Sequence, residues 1–173
     1  YYEDVLIHLR KYKVTLRSYL DIAMPDYDTC FPKEDIYNPL SIEILKKYPH
    51  PDLIIKTKEE SMIKYLKSKT KHNRGFIIKH VSKIREWANE VYSGCDKDSV
   101  IVDKIKSLII HIEEIDNEAN EILENIINEA KDESLYVQLL SIPGIGENIA
   151  ARLVAEIGNI SRFDSVNKFT SYA

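Results

Sequence analysis

The chain has 173 residues, of which 30% are charged and 44% hydrophobic, and its 24 basic and 28 acidic side chains leave a formal net charge of -4. Five glycines and six prolines are too few for a collagenous, low-complexity or turn-rich β design. No apolar run reaches the roughly 18–20 residues of a membrane span, so the composition predicts an all-α chain that stays out of membranes. Cys30 and Cys95 have no C-x-x-C partner and no signal or transit peptide is visible, which fits reduced thiols and a cytoplasmic location.

Apolar residues recur in steps of three and four at Tyr2, Val5, Leu6, Leu9, Leu16 and Leu20, with the aliphatic stem of Lys13 between them. The spacing predicts an amphipathic helix that stops near Met24-Pro25. Residues 25–58 contain Pro25, Pro32, Pro39, Pro49 and Pro51 and predict irregular chain with one short helix at about Ser41–Lys47. Helices follow at about Lys58–Ser68 and Arg74–Tyr92, the latter with Ile77, Ile78, Val81, Ile84, Ala88 and Val91 on one face and a break at Ser93-Gly94.

The most regular element comes next. Ile101, Ile105, Leu108, Ile112, Ile115, Ala119, Ile122 and Ile126 alternate in steps of four and three, a heptad seam within a helix of about Ser99–Lys131. Val102, Ile109, Leu123 and Ala130 widen it on one flank. Such a seam can pair with a second copy or fold back on the helices before it, with the N-terminal helix as a natural antiparallel partner. Isoleucine at both seam positions does not favour a simple parallel dimer. Ile105, Leu108, Ile112, Ile115 and Ile122 are the expected contacts of a coiled-coil homo-oligomer.

Charge is polarised. Eight Lys or Arg residues and no acid lie between Lys64 and Arg85, whereas ten acids and three lysines lie between Asp103 and Glu133. Either the basic segment is a solvated helix face or it meets phosphates, with Lys67, Lys69, Lys71, Arg74 and Lys79 the best candidates. Contacts of that kind give affinity and salt dependence without sequence reading. The acidic helix would repel a duplex and suits packing against protein.

Residues 139–158, LLSIPGIGENIAARLVAEIG, carry the most specific pattern. A helix end runs into Ile142-Pro143-Gly144-Ile145-Gly146, and Glu147-Asn148-Ile149-Ala150 starts another helix at once, the pattern of a helix-hairpin-helix. Gly144 and Gly146 permit a tight turn with outward N–H groups, and the following helix offers unpaired N–H groups and the positive end of its dipole to a phosphate. Ile142 and Ile145 are expected to anchor the turn, and Ile149, Ala150, Leu153, Val154 and Ile157 to form a buried stripe, with an αL stop at Gly158. Pro143, Gly144, Ile145, Gly146, Asn148 and Arg152 are the expected nucleic-acid contacts. An ordinary helical hairpin with a Pro-Gly turn is the alternative. Hairpins of this motif can also hold a monovalent cation on their turn carbonyls. The five histidines lack metal-ligand spacing and Asp26 and Asp28 read as turn residues, so neither a metal site nor a catalytic residue is assigned.

The same stretch closely resembles the start of the C-terminal domain of insertion-sequence transposases of the 110/116/902 group. The resemblance rests on Ile142-Pro143-Gly144-Ile145-Gly146, Ala150-Ala151, Ala155-Glu156-Ile157-Gly158, Arg162-Phe163 and Phe169-Thr170-Ser171-Tyr172-Ala173. Residues Tyr1-Tyr2 to Arg17, Ala23-Met24-Pro25 and Leu45-Lys46-Lys47-Tyr48-Pro49 agree more loosely with the family's upstream part. The resemblance implies a parent recombinase with a RuvC-like N-terminal domain, four acids binding divalent metal (Mg), and a serine nucleophile in the C-terminal domain. It further implies DNA and a guide-like RNA as partners and an assembled oligomer. No residue matches those acids, and Ser141, Ser161, Ser165 and Ser171 do not stand at the serine's position. The chain is therefore expected to be an internal piece, inactive by itself and without a cofactor of its own. Residues 1–132 would be a helical connector with the basic segment 64–85, and 133–173 the start of the C-terminal transposase domain. A stand-alone helix-hairpin-helix module of a repair or recombination protein, and a pure oligomerisation scaffold, are the alternatives.

Overall fold

The computed structural model describes residues 1–158. The family features and serines placed by sequence in 159–173 lie outside the described residues. All regular elements among those described are helical: α1 Tyr2–Ala23, α2 Pro39–Lys47, α3 Pro51–Lys56, α4 Glu59–Lys69, α5 Arg74–Glu90, α6 Val100–Ala130, α7 Ser134–Leu140 and α8 Glu147–Ile157. Two compact units result, one of Glu3–Asp116 and one of Tyr1–Tyr2 with the chain from Asn117 onward. Helix α6, 31 residues long, contributes residues to each. Among the described residues no helix is long and apolar enough to cross a membrane.

In the Glu3–Asp116 unit, the three-four spacing of α1 buries Leu9, Leu16 and Leu20 in a core shared with Ile44 and Leu45 of α2, Ile54 of α3, Met62 and Leu66 of α4, and Ile77 and Ile84 of α5. Ile105, Leu108, Ile109 and Ile112 of α6 enter the same core, and Ile115 packs against it. The seam therefore folds back over these residues, and Ile105, Leu108 and Ile112, expected at a homo-oligomer interface, are covered by the chain itself. The reason is geometric: α1 and α6 lie side by side, so the nearest apolar surface is intramolecular. Tyr12 meets His111 edge-on with ring centroids 5.9 Å apart. Ile22, near the end of α1, meets Gly94, just before α6, so the two helices run in opposite directions.

Residues 25–58 are more ordered than their prolines suggest. Two 3₁₀ turns, Tyr27–Cys30 and Pro32–Glu34, precede α2. The Asn38 side chain caps α2 by accepting from the amides of Leu40 and Ser41 at 3.1 and 3.0 Å, with Pro39 in the first turn. Helix α3, unforeseen in the sequence, starts at Pro51 behind an unusual cap: His50 Nδ1 accepts from the Asp52 amide at 3.1 Å. His50 Nε2 lies 2.9 Å from the Cys95 carbonyl, which only accepts, so the ring proton sits on Nε2.

Long-range polar clips close the helix ends. Arg85 Nη1 donates to the carbonyls of Ile54 and Thr57 at 2.9 and 2.6 Å, satisfying the end of α3. Trp87 Nε1 donates to the Pro25 carbonyl at 2.9 Å. The Gly94 amide donates to the Ile22 carbonyl at 2.7 Å, and a Cβ on Gly94 would stand 3.0 Å from that oxygen, so only glycine fits without displacement. Asn73 caps α5 through the Phe76 amide at 2.8 Å. Ile78, expected on the buried face of α5, is exposed because the core takes Ile77, Val81, Ile84 and Ala88 one position round the helix.

The second unit has its own small core. Tyr136 of α7 and Ala150, Ala151 and Val154 of α8 are buried with Ala130 of α6, and Ile126, Ile127, Leu135, Leu139 and Ile145 pack against them. Ile122 is half-buried. The Tyr1 hydroxyl donates to Glu118 at 2.6 Å.

These packing differences within one helix generate a test. Ile105→Ala, at a fully buried position, is expected to lower stability by about 2–5 kcal/mol. Ile110→Ala, on the exposed face of the same α6, should change it by less than about 0.5 kcal/mol. Chemical denaturation followed by circular dichroism measures both, and equal effects would contradict the core described.

Candidate nucleic-acid interface

The turn between α7 and α8 follows from its sequence. The amides of Ser141 and Ile142 donate back to Gln138 and Leu139 at 3.2 and 3.1 Å, ending α7. The Ile145 amide then donates to the Ile142 carbonyl at 3.1 Å and closes a four-residue turn. Pro143 occupies its first central position and Gly144, at φ 93, its second, the arrangement of a type II turn. Gly146 behaves differently from expectation. At φ -92 and ψ 173 it is extended, and it serves as the N-cap of α8 without needing a glycine conformation. Gly158 caps the other end at φ 60 and ψ -138, outside the αL basin expected of it, with its amide on the Val154 carbonyl at 2.8 Å.

No side chain caps α8, and the Ala150 amide, 2.9 Å from the Gly146 carbonyl, makes the first helical bond. The amides of Glu147, Asn148 and Ile149 precede it and have no helical partner. Gly146, Glu147 and Asn148 are exposed, and a Cβ on Gly144 or Gly146 would meet nothing within 4 Å among the described residues. Backbone N–H groups and the positive helix end thus stand open to an anion, with Glu147 the carboxylate that shares the position.

Only part of the expected apolar anchoring is present. Ile145 packs into the small core, but Ile142 and Ile149 are each 48% exposed. Ala150 and Ala151 allow close approach and turn the buried face of α8 toward themselves and Val154, which leaves Ile149 at its edge. Arg152, on an exposed part of α8, lies over the Tyr2 ring with its guanidinium carbon 5.4 Å from the centroid.

The structure divides the basic segment into two groups. Lys67 Nζ donates to the His72 carbonyl at 2.9 Å, Arg74 pairs with Glu60 at 2.8 Å, Lys83 donates to the Thr29 carbonyl at 2.5 Å, and Arg85 holds α3. Two of the five expected contacts, Lys67 and Arg74, therefore carry internal bonds. Lys69, Lys71 and Lys79 are exposed and make no hydrogen bond or ion pair with the described residues, and the same is true of Lys64. The acidic helix does meet protein at Glu113, which lies 2.7 Å from Lys46. Burial lowers the Lys46 pKa, but Glu113 and Glu43 outweigh it and hold the pKa above the ordinary lysine value.

An aromatic arrangement that sequence reading missed interrupts these cations. Phe76 lies against His72 at 4.4 Å and 22° and against His80 at 4.1 Å and 33°. The i, i+4 spacing of His72, Phe76 and His80 is its signal in the sequence.

Residues 137–173 match the family described as Transposase IS116/IS110/IS902 family. Over that stretch, which is the last part of the chain, the sequence is similar to the insertion-sequence transposases of that group. No curated protein and no solved structure matches the chain.

The two turn glycines should respond differently to substitution. Gly144→Ala forces a Cβ into the positive-φ position and is expected to cost about 1–2 kcal/mol. Gly146→Ser, at an ordinary N-cap conformation, should change stability by only a few tenths of a kcal/mol. Thermal melts of the two variants against the parent check the difference.

Proposed function

We infer that this chain is a DNA-binding part of an insertion-sequence transposase, whose α7–α8 segment seats a backbone phosphate in the manner of a helix-hairpin-helix. The observation that carries the reading is the type II turn delivering the exposed, uncapped start of α8, inside the stretch that matches the transposase family. In this reading Pro143 and Gly144 shape the turn, Ile145 fixes it to the core, and the amides from Gly146 to Asn148 receive the phosphate oxygens. Arg152 adds positive charge on the same helix, and Lys69, Lys71 and Lys79 supply further phosphate contacts on the Glu3–Asp116 unit. Contacts of this class set affinity and leave sequence choice to other parts of the enzyme or to a guide-like RNA partner. Cleavage and its divalent metal are assigned to the parent enzyme's catalytic residues, and no side chain of this chain is proposed as a metal ligand.

Gly146→Val tests the seat. Its Cβ would point into open space within the described chain, so the fold should persist while a strand is kept from the amides. Binding of unrelated DNA duplexes, measured by fluorescence anisotropy, is expected to weaken about tenfold and to the same degree for each sequence. Each lost phosphate contact should make the salt slope shallower by about 0.9. A folded Gly146→Val protein that binds as the parent does would reduce the segment to a structural turn.

A further inference from the structure

His80 is 7% exposed and packed on both faces, against Phe76 at 4.1 Å and 33° and against Phe31 at 6.4 Å and 18°. Only the edge of this ring can meet a ligand. Nδ1 lies 2.9 Å from the Phe76 carbonyl, which only accepts, so in the neutral ring the proton sits on Nδ1 and Nε2 is an acceptor. Nε2 has no hydrogen-bond partner among the described residues, where every fully buried polar side-chain atom has one, so Nε2 reaches solvent. His80 lines a cleft of about 560 Å³ in the Glu3–Asp116 unit, within the roughly 300–1,000 Å³ that ligand clefts span. Phe31 and Cys30, whose thiol burial pushes to about 12 and keeps neutral, give the cleft an apolar wall. Lys79 and Lys83 line it one helical turn apart, and Lys83 is the i+3 neighbour of His80. Like charges at that spacing repel, and an anion between them removes the repulsion. Glu86, the one carboxylate lining the cleft, stands three residues past Lys83 and leaves the Lys79 side to the anion.

We propose that this cleft takes a single strand of RNA, with a ribose 2′-hydroxyl donating to His80 Nε2 and the neighbouring 3′-phosphate held by Lys79 and Lys83. The proposal rests on the reading that the basic segment meets nucleic acid, and it adds which nucleic acid and by what contact. In RNA a 2′-hydroxyl stands beside each 3′-phosphate, so one ribose-phosphate unit presents the donor and the anion together. A deoxyribose offers only C–H at that position and would shut Nε2 off from water without a partner, which costs affinity. Lys83 spends one of its three N–H donors on the Thr29 carbonyl and keeps two for the phosphate. A cleft of this volume is too small to enclose a double helix. The base is left outside it, since the rings of His80 and Phe76 offer no open face, and the contact reads the sugar and not the sequence.

The test uses the full chain with fluorescent oligouridine and oligodeoxyuridine of about twelve nucleotides, within the usual range of single-strand sites. Both strands carry the same base, so a difference reports the sugar. The parent is expected to bind oligouridine about tenfold tighter than oligodeoxyuridine. His80→Phe keeps an aromatic ring between Phe31 and Phe76 but has no Nε2. It should bring oligouridine down to the deoxy level and leave oligodeoxyuridine within about twofold of the parent. Lys79→Gln should weaken both strands alike. A parent without preference, or a preference that persists in His80→Phe, overturns the hydroxyl proposal. If Lys79→Gln still weakens both strands, the basic-segment reading survives that failure. If it does not, both fall. Should His80→Phe fail to fold by circular dichroism, 2′-fluoro-oligouridine bound to the parent decides, because fluorine cannot donate. Affinity at the deoxy level supports the contact, and affinity at the oligouridine level overturns it.

Discussion

The aliphatic stripe at the start of α6 is the constraint around which the Glu3–Asp116 unit is arranged. Ile105, Leu108, Ile109 and Ile112 each contribute about 1.5–3 kcal/mol when covered, and only neighbouring helices can cover them without a second molecule. Helix α1 supplies Leu9, Leu16 and Leu20, and α2 to α5 close the remaining sides. A heptad pattern therefore does not by itself announce a coiled coil. Ile115 and Ile122 continue the seam at partial burial, where the helix passes from one unit to the next.

Once the core is set, the cations divide by what the helix ends need. Arg85 satisfies two carbonyls of α3 and its following residue, Lys83 reaches Thr29, and Lys67 reaches His72. The basic run thus contains residues that also act as clips, whereas exposed Lys64, Lys69, Lys71 and Lys79 make no hydrogen bond or ion pair with the described residues. The same division explains why an acid-free segment can lie in a chain of net charge -4 without being a nucleic-acid surface along its whole length.

Most of the helices could be read from the sequence because their apolar residues keep a 3.6-residue period. α1, α4, α5 and α6 lie within two residues of the boundaries that period predicts. Helix α3 escaped because its start depends on His50, a rare cap whose ring is oriented by Cys95, forty-five residues away. The Pro143-Gly144 turn was legible since proline and positive-φ glycine define its type, but the role of Gly146 was not, because an extended N-cap accepts many residues. The rotation of α8 that exposes Ile149 follows from tertiary contact with Ala150 and Ala151, and no local pattern encodes it. The ring series of His72, Phe76 and His80 is written in the sequence only as a spacing of four residues.

The bond between Gly94 and Ile22 sets the order in which this unit can assemble. The last turn of α1 completes its hydrogen bonding only when a residue seventy-two positions later has been made. At a synthesis rate of about 5–20 residues per second, α1 waits about 4–14 s for that partner, and longer for Ile105 to Ile112. During this interval Leu9, Leu16 and Leu20 have only the segments up to α5 to cover them as each emerges. Closure of the unit is a late, non-local event, and the nascent helix carries an uncovered apolar stripe that a chaperone can recognise until α6 arrives.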